Sequence, residues 1–148
     1  HLLEKTHKGQ IDAIYIDPPY NTGAKTWRYN NAYVDSQDTF KHSKWLSFMN
    51  VRLKIAKELL KDTGIIVLTI DDYEVENITL LMNEIFGEDN HLGTVVIKNN
   101  PQGRSSVTGF QVSHEYALFY GRKNSKIGRI KRNGATIGNR YFPFVQRV

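Results

Sequence analysis

The chain has 148 residues, 40% of them hydrophobic and 24% charged, enough for one domain with a core of its own. It contains no cysteine, which excludes disulfides and thiolate-bound metal and is compatible with a reducing cytoplasm. No apolar run approaches the roughly 18 residues needed to span a bilayer, and no secretory signal opens the chain, so no membrane partner is expected.

The formal net charge is +5, and the excess is uneven. From Lys98 to Arg147 ten Lys and Arg residues face a single acidic one, Glu115. That imbalance fits a polyanionic partner such as nucleic acid; on charge alone it fits a solvated basic surface equally well. The first residue is His1, and Leu2-Leu3 reads as the end of a helix, so a piece of a longer protein is expected.

In chain order, Ile11–Ile16 is a short β-rich apolar run that must turn out at Asp17-Pro18-Pro19, because proline cannot continue a central strand. Residues 21–40 are polar and aromatic without a period and read as a loop. Trp45, Met49, Leu53, Ala56 and Leu60 recur at helical spacing, with Gly64 as the expected C-terminal stop. Ile65–Ile70 is nearly all apolar, as in a strand buried on both faces. Val75, Ile78, Met82, Ile85 and Phe86 mark a second helix closed by Gly87. Further strands are expected over 94–98 and 116–120, separated by a Gly/Ser/Asn/Arg loop over 99–111. Beyond Lys123 the pattern weakens. Strands alternating with helices predict an α/β fold: a mainly parallel sheet with helices on both faces. Ligands of such sheets bind beyond the carboxyl ends of the strands, where Asp17–Tyr20 and Asp71-Asp72 both fall.

Asp-Pro-Pro-Tyr after an apolar strand has a chemical logic. An adenine amino group is a poor nucleophile, since its lone pair is delocalised into the ring. The Asp17 carboxylate can accept one amino hydrogen and the Pro18 carbonyl the other, with Pro19 keeping that backbone rigid; preorganised acceptors of this kind localise the lone pair and orient the nitrogen. Tyr20 offers an aromatic face. A base inside a duplex cannot reach such a cleft and must be flipped out, and stacking on Tyr20 would offset part of the unstacking cost.

The segment Ile14-Tyr15-Ile16-Asp17-Pro18-Pro19-Tyr20-Asn21-Thr22-Gly23 resembles motif IV of the amino-methyltransferases that act on DNA. His42–Met49, Ile70-Asp71-Asp72, Leu81–Gly87 and Ser113-His114-Glu115-Tyr116 resemble, in the same order, the adenine-specific modification subunits of type III restriction–modification systems. The resemblance implies a partial Rossmann-like methyltransferase fold and S-adenosylmethionine as methyl donor. It implies DNA as substrate and Asp17, Pro18, Pro19 and Tyr20 as the catalytic motif. It also implies a contact of Asp17 with the donor, a restriction subunit and a second copy of the full-length protein as partners, and the cytoplasm of a prokaryote. Residues 1–123 would be the catalytic part, and the basic segment 124–148 would lead to a target-recognition region. The Phe-x-Gly-x-Gly donor loop of these enzymes does not occur in the chain. In the motif order that starts with Asp-Pro-Pro-Tyr it comes after the target-recognition region, so the isolated chain is expected to be inactive.

Each feature has a plainer alternative. Two prolines can simply end a strand, although the flanking match favours catalysis. Asp in the first position favours adenine; cytosine-amino enzymes of this superfamily usually carry Ser there. Asp71, three residues before Glu74, fits a capping arrangement for the second helix, while Asp71 or Asp72 could also face the cleft. His114-Glu115 could touch a flipped base or be a surface strand start. Trp27, Tyr29 and Tyr33 are candidates for stacking on DNA or for a small satellite core. Lys98, Asn99, Asn100, Arg104 and Ser105 are candidates for phosphate contacts or for a plain polar loop. No spacing suggests a metal site, and methyl transfer needs none. Two rival functions stay open: methylation of cytosine or RNA amino groups, and a non-catalytic nucleic-acid-binding remnant of the fold.

Overall fold

The computed structural model describes residues 2–22, 28–29, 32–33, 37–98 and 112–127. The chain opens with helix α1 (Leu2–His7), whose end is tied to a later helix by Gly9 N–H donating to the Glu58 carbonyl at 2.9 Å. Strand β1 (Ile11–Ile16) follows, with the predicted bounds. The predicted loop over 21–40 contains, in its described part, a two-residue antiparallel pair, β2 (Arg28–Tyr29) with β3 (Ala32–Tyr33).

Helix α2 (Lys41–Leu59) buries Trp45, Met49, Leu53 and Ala56 as the spacing requires. Leu60 and Gly64, expected from the spacing to end this helix, both lie in strand β4 (Leu60–Ile70). The helix ends without a left-handed residue, since Leu60 is already extended at φ −67°, ψ 142° and pairs with Ile11. Glycine is needed at 64 for another reason: a Cβ there would meet the Leu60 side chain at 2.9 Å and the Ile11 and Lys61 carbonyls at 3.0 Å, where β4 bulges against β1. Helix α3 (Val75–Phe86) has the predicted bounds and stops at Gly87, which does sit at positive φ, 94°. A single 3₁₀ turn (Glu88–Asn90) leads into β5 (His91–Lys98), and β6 (His114–Gly121) closes the described fold.

The four long strands form one sheet in the order β1-β4-β6-β5. β1 and β4 are parallel, with Ile16 opposite Leu68. β6 runs antiparallel to both β4 and β5, with Ile70 opposite Tyr116 and Lys98 opposite His114. Two of the three pairings thus depart from the mainly parallel sheet expected from strand–helix alternation.

Among the described residues, α2 and α3 pack on one face of the sheet. Ile66, Leu68 and Ile70 of β4 and Leu118 and Tyr120 of β6 point to one face, in one buried cluster with α2 and with Ile78, Met82 and Phe86 of α3. Burial of each such side chain contributes about 1.5–3 kcal/mol. On the alternate positions of the sheet, Tyr15 is 66% exposed and Val95 37%. No helix among the described residues is long and apolar enough to cross a membrane.

Candidate active site

Because β1 and β4 are adjacent and parallel, their carboxyl ends coincide, and the side chains just beyond them meet. Thr69 Oγ1 donates to Asp17 Oδ1 at 2.9 Å, and the Tyr15 hydroxyl lies 3.3 Å from the same Thr69 oxygen. Asp17 itself is exposed, while Pro18 is buried and Tyr20 partly so. The antiparallel β6 brings its amino end to the same edge, and the Tyr20 hydroxyl donates to Glu115 Oε2 at 3.1 Å. Burial, helped by the nearby Asp17 and Glu115 carboxylates, raises the pKa of the Tyr20 hydroxyl, so it stays a neutral donor.

Tyr15, Asp17, Pro18, Pro19, Tyr20 and Glu115 line an open cleft of about 520 Å³ at this edge. The Pro19 carbonyl is occupied: the indole Nε1 of the fully buried Trp45 donates to it at 2.6 Å. Among the described residues no donor reaches the Pro18 carbonyl. Asp17, Pro18 and Tyr20 thus line the cleft side by side.

Asp71 and Asp72 divide their roles. The helix α3 N-cap is Glu74, and its side chain makes no capping bond, so the expected capping pair of Asp71 and Glu74 does not form. Asp71 instead accepts the Tyr73 N–H at 3.1 Å in the turn before the helix, and is 3% exposed. Asp72 accepts from the Tyr116 hydroxyl at 2.9 Å, and His114 Nε2 lies 2.9 Å from that hydroxyl. Burial first, then the Asp72 hydrogen bond, raises the Tyr116 pKa. His114 belongs to this support and Glu115 to the cleft.

Lys98, at the end of β5, sits opposite His114 on the same sheet edge, beside a depression of about 350 Å³ lined by Val96, Lys98, Ser113 and His114. Trp27, Asn99, Asn100, Arg104 and Ser105 lie outside the described residues, as do the side chains of Tyr29 and Tyr33 and the basic segment from 128 on. Among the described residues no group of three His, Asp or Glu could hold a metal ion.

Sequence reasoning misses four residues of this region. Thr69 falls inside an apolar strand, although a hydroxyl next to the strand's carboxyl end is a usable signal. Trp45 has the spacing of a core residue, which it is, and its N–H is committed to Pro19 besides. Asn21 and Glu74 are both buried, and the Asn21 amide donates to Glu74 Oε1 at 2.5 Å.

Comparison with known proteins agrees with this geometry. A family described as DNA methylase, of the N6/N4 methyltransferase type, matches residues 11–144. The type II methyltransferase M.KpnI of Klebsiella pneumoniae is 46% identical over 123 residues, covering 82% of the chain and 30% of that protein. The Mod subunit of the type III restriction–modification enzyme StyLTI of Salmonella typhimurium is 37% identical over 141 residues, covering 81% of the chain and 22% of the subunit. The chain thus spans less than a third of either relative. Among solved structures, a protein of Thermus thermophilus described as a putative DNA modification methylase and solved with S-adenosyl-L-methionine superposes with a TM-score of 0.62 at 11% identity, covering 88% of the chain and 53% of that protein. That likeness supports the partial Rossmann-like methyltransferase fold. With its Asp-Pro-Pro-Tyr motif at the carboxyl edge of an α/β sheet, the chain belongs to the N6/N4 DNA methylase family.

Proposed function

We propose that these residues form the base-binding part of a DNA adenine methyltransferase that works in restriction–modification. The observation that carries this reading is the cleft that Asp17, Pro18 and Tyr20 line together at the carboxyl end of β1. A flipped adenine would stack on Tyr20 and give its two amino hydrogens to Asp17 and to the Pro18 carbonyl, which localises the nitrogen lone pair. The proton displaced when the new nitrogen–carbon bond forms would leave through Asp17 to water. Asp rather than Ser in the first motif position supports adenine over cytosine.

S-adenosylmethionine, when bound, supplies the methyl group as an electrophile. On the donor's side the residues present fit one contact, Asp17 with its amino group; no Phe-x-Gly-x-Gly cradle occurs among the 148 residues. In this reading the cradle belongs to the rest of a full-length protein, residues 1–123 are its catalytic part, and the basic segment 124–148 leads to target recognition. A restriction subunit fits as partner on the strength of the relatives that are Mod subunits. Lys98 takes a DNA phosphate.

The test uses the full-length protein with labelled S-adenosylmethionine, mixed-sequence DNA and mass spectrometry of the bases, beside an Asp17→Ala version. Methyl on adenine that falls by at least about a hundredfold in the variant, with the melting temperature unchanged, is the expected result. Methyl on cytosine moves the protein to the N4 branch of its family. DNA binding without transfer, indifferent to Asp17→Ala, makes it a non-catalytic remnant.

A further inference from the structure

Directly behind the motif lies a buried carboxylate that the cleft chemistry does not use. Glu74 is 1% exposed. Its Oε1 accepts from Asn21 Nδ2 at 2.5 Å and lies 2.6 Å from His42 Nδ1, a contact that requires a proton on that nitrogen; Oε2 accepts from Asn77 Nδ2 at 2.8 Å. A carboxylate taken out of water is tolerated only when such donors replace its hydration. The three donors come from the exit of the motif, from the first turn of α2 and from the first turn of α3. Holding α2 to α3 would need only His42, since the Asn77 bond stays within α3.

Asn21 carries a feature that a structural tie does not explain. Its φ is +56°, the one positive value at a non-glycine residue among the described positions. Left-handed backbone is unfavourable for an L-residue, and asparagine tolerates it best when its side chain is held. Asn21 directly follows Tyr20, so this turn sets how the chain leaves the motif. The motif is thereby pinned at successive points: Asp17 by Thr69, the Pro19 carbonyl by Trp45, the Tyr20 hydroxyl by Glu115 and the Asn21 amide by Glu74.

Resting on the function proposed above, we propose that Glu74 is a positioning residue for methyl transfer. By holding the Asn21 amide it keeps the left-handed turn that aims Tyr20 and the Pro18 carbonyl at the base held by Asp17. The bond can be inverted without changing charge. Asn21→Asp puts two carboxylates against each other. Glu74→Gln leaves an amide with one acceptor oxygen for donors on both sides. In the double variant the amide introduced at position 74 donates to the carboxylate introduced at position 21, while the new amide oxygen accepts from Asn77.

The experiment measures kcat and KM for S-adenosylmethionine and for mixed-sequence DNA, together with the melting temperature, for the full-length wild type, both single variants and the double variant. A misplacement of about 1 Å can slow a reaction about a hundredfold, so each single variant is expected to lose at least about tenfold in kcat with donor KM unchanged. The double variant is expected to regain at least about fivefold over the slower single. Singles with wild-type kcat, even if they melt lower, make Glu74 merely structural and overturn the inference. A double variant that stays below that recovery also overturns it. A wild type that transfers no methyl group overturns the proposed function, and the inference with it.

Discussion

Tyr20 shows how one side chain divides its work between ring and hydroxyl. The ring is the stacking platform of the proposed function, and the hydroxyl is spent on Glu115 at 3.1 Å. Stacking of a base on an aromatic ring is worth about 1–3 kcal/mol, so Tyr20→Ala in the full-length protein is expected to weaken DNA binding by about 5- to 150-fold. Tyr20→Phe keeps the ring and is expected to stay within about threefold of wild type in the same binding titration, since the lost hydroxyl bonds Glu115 and not the base. Equal losses in both variants would transfer the role from the ring to the hydroxyl–Glu115 bond. Of these features the motif itself was legible in the sequence, because two prolines after a strand allow few backbone paths. Its supports were not. Glu115, Trp45 and Glu74 lie 95, 26 and 53 residues from their partners Tyr20, Pro19 and Asn21, and no local pattern encodes such pairings.

At the scale of elements, β6 and α3 are held together through Tyr120, fully buried, whose hydroxyl donates to Asn83 Oδ1 at 2.6 Å. Burial first, then Glu88, pushes this hydroxyl up from the usual 10.0 to about 12. Between those values the folded chain keeps a proton that the unfolded chain has released. The group's contribution to stability is therefore full below about pH 10 and is lost as the pH rises through about 12. Urea unfolding midpoints are expected to fall over that window, and Tyr120→Phe is expected to flatten the fall while lowering neutral-pH stability by about 1 kcal/mol through the stranded Asn83. An unaltered slope in the variant would assign the alkaline loss to other tyrosines. The elements themselves were mostly legible: β1 and α3 have their predicted bounds, because a strand stopped by proline and a helix stopped by glycine carry local signals. The end of α2 was not, because Leu60 continues the helical spacing although it pairs with Ile11. Helical spacing and β-pairing compete there, and a partner far back in the chain decides.

For the whole molecule the consequence of topology is a single working edge. Asp17 just past β1, Thr69 on β4, Glu115 on β6 and Lys98 on β5 all lie at the same end of the sheet. In the proposed function a duplex lies along that edge, with a phosphate at Lys98 and a flipped base at Asp17. Lys98→Ala in the full-length protein is expected to weaken DNA binding to a similar degree for unrelated sequences, and to lower the slope of log affinity against log salt by about one. A loss confined to one sequence, with the slope unchanged, would assign Lys98 to base readout instead.

The sequence by itself determined the family, the α/β class and the motif, because these depend on residues adjacent in the chain: an apolar strand, two prolines, an aromatic ring and helices with the right period. Only the tertiary structure decided what surrounds the motif. The sequence pattern predicts a mainly parallel sheet, in which the carboxyl end of β6, Tyr120 and Gly121, would border the cleft. The observed β6 is antiparallel to β4, so its amino end is there and Glu115 meets Tyr20. Strand direction is set by how the chain returns across the sheet and by which faces it can bury. Those are properties of long-range packing, and the hydrophobic period of a strand is the same whichever way it runs.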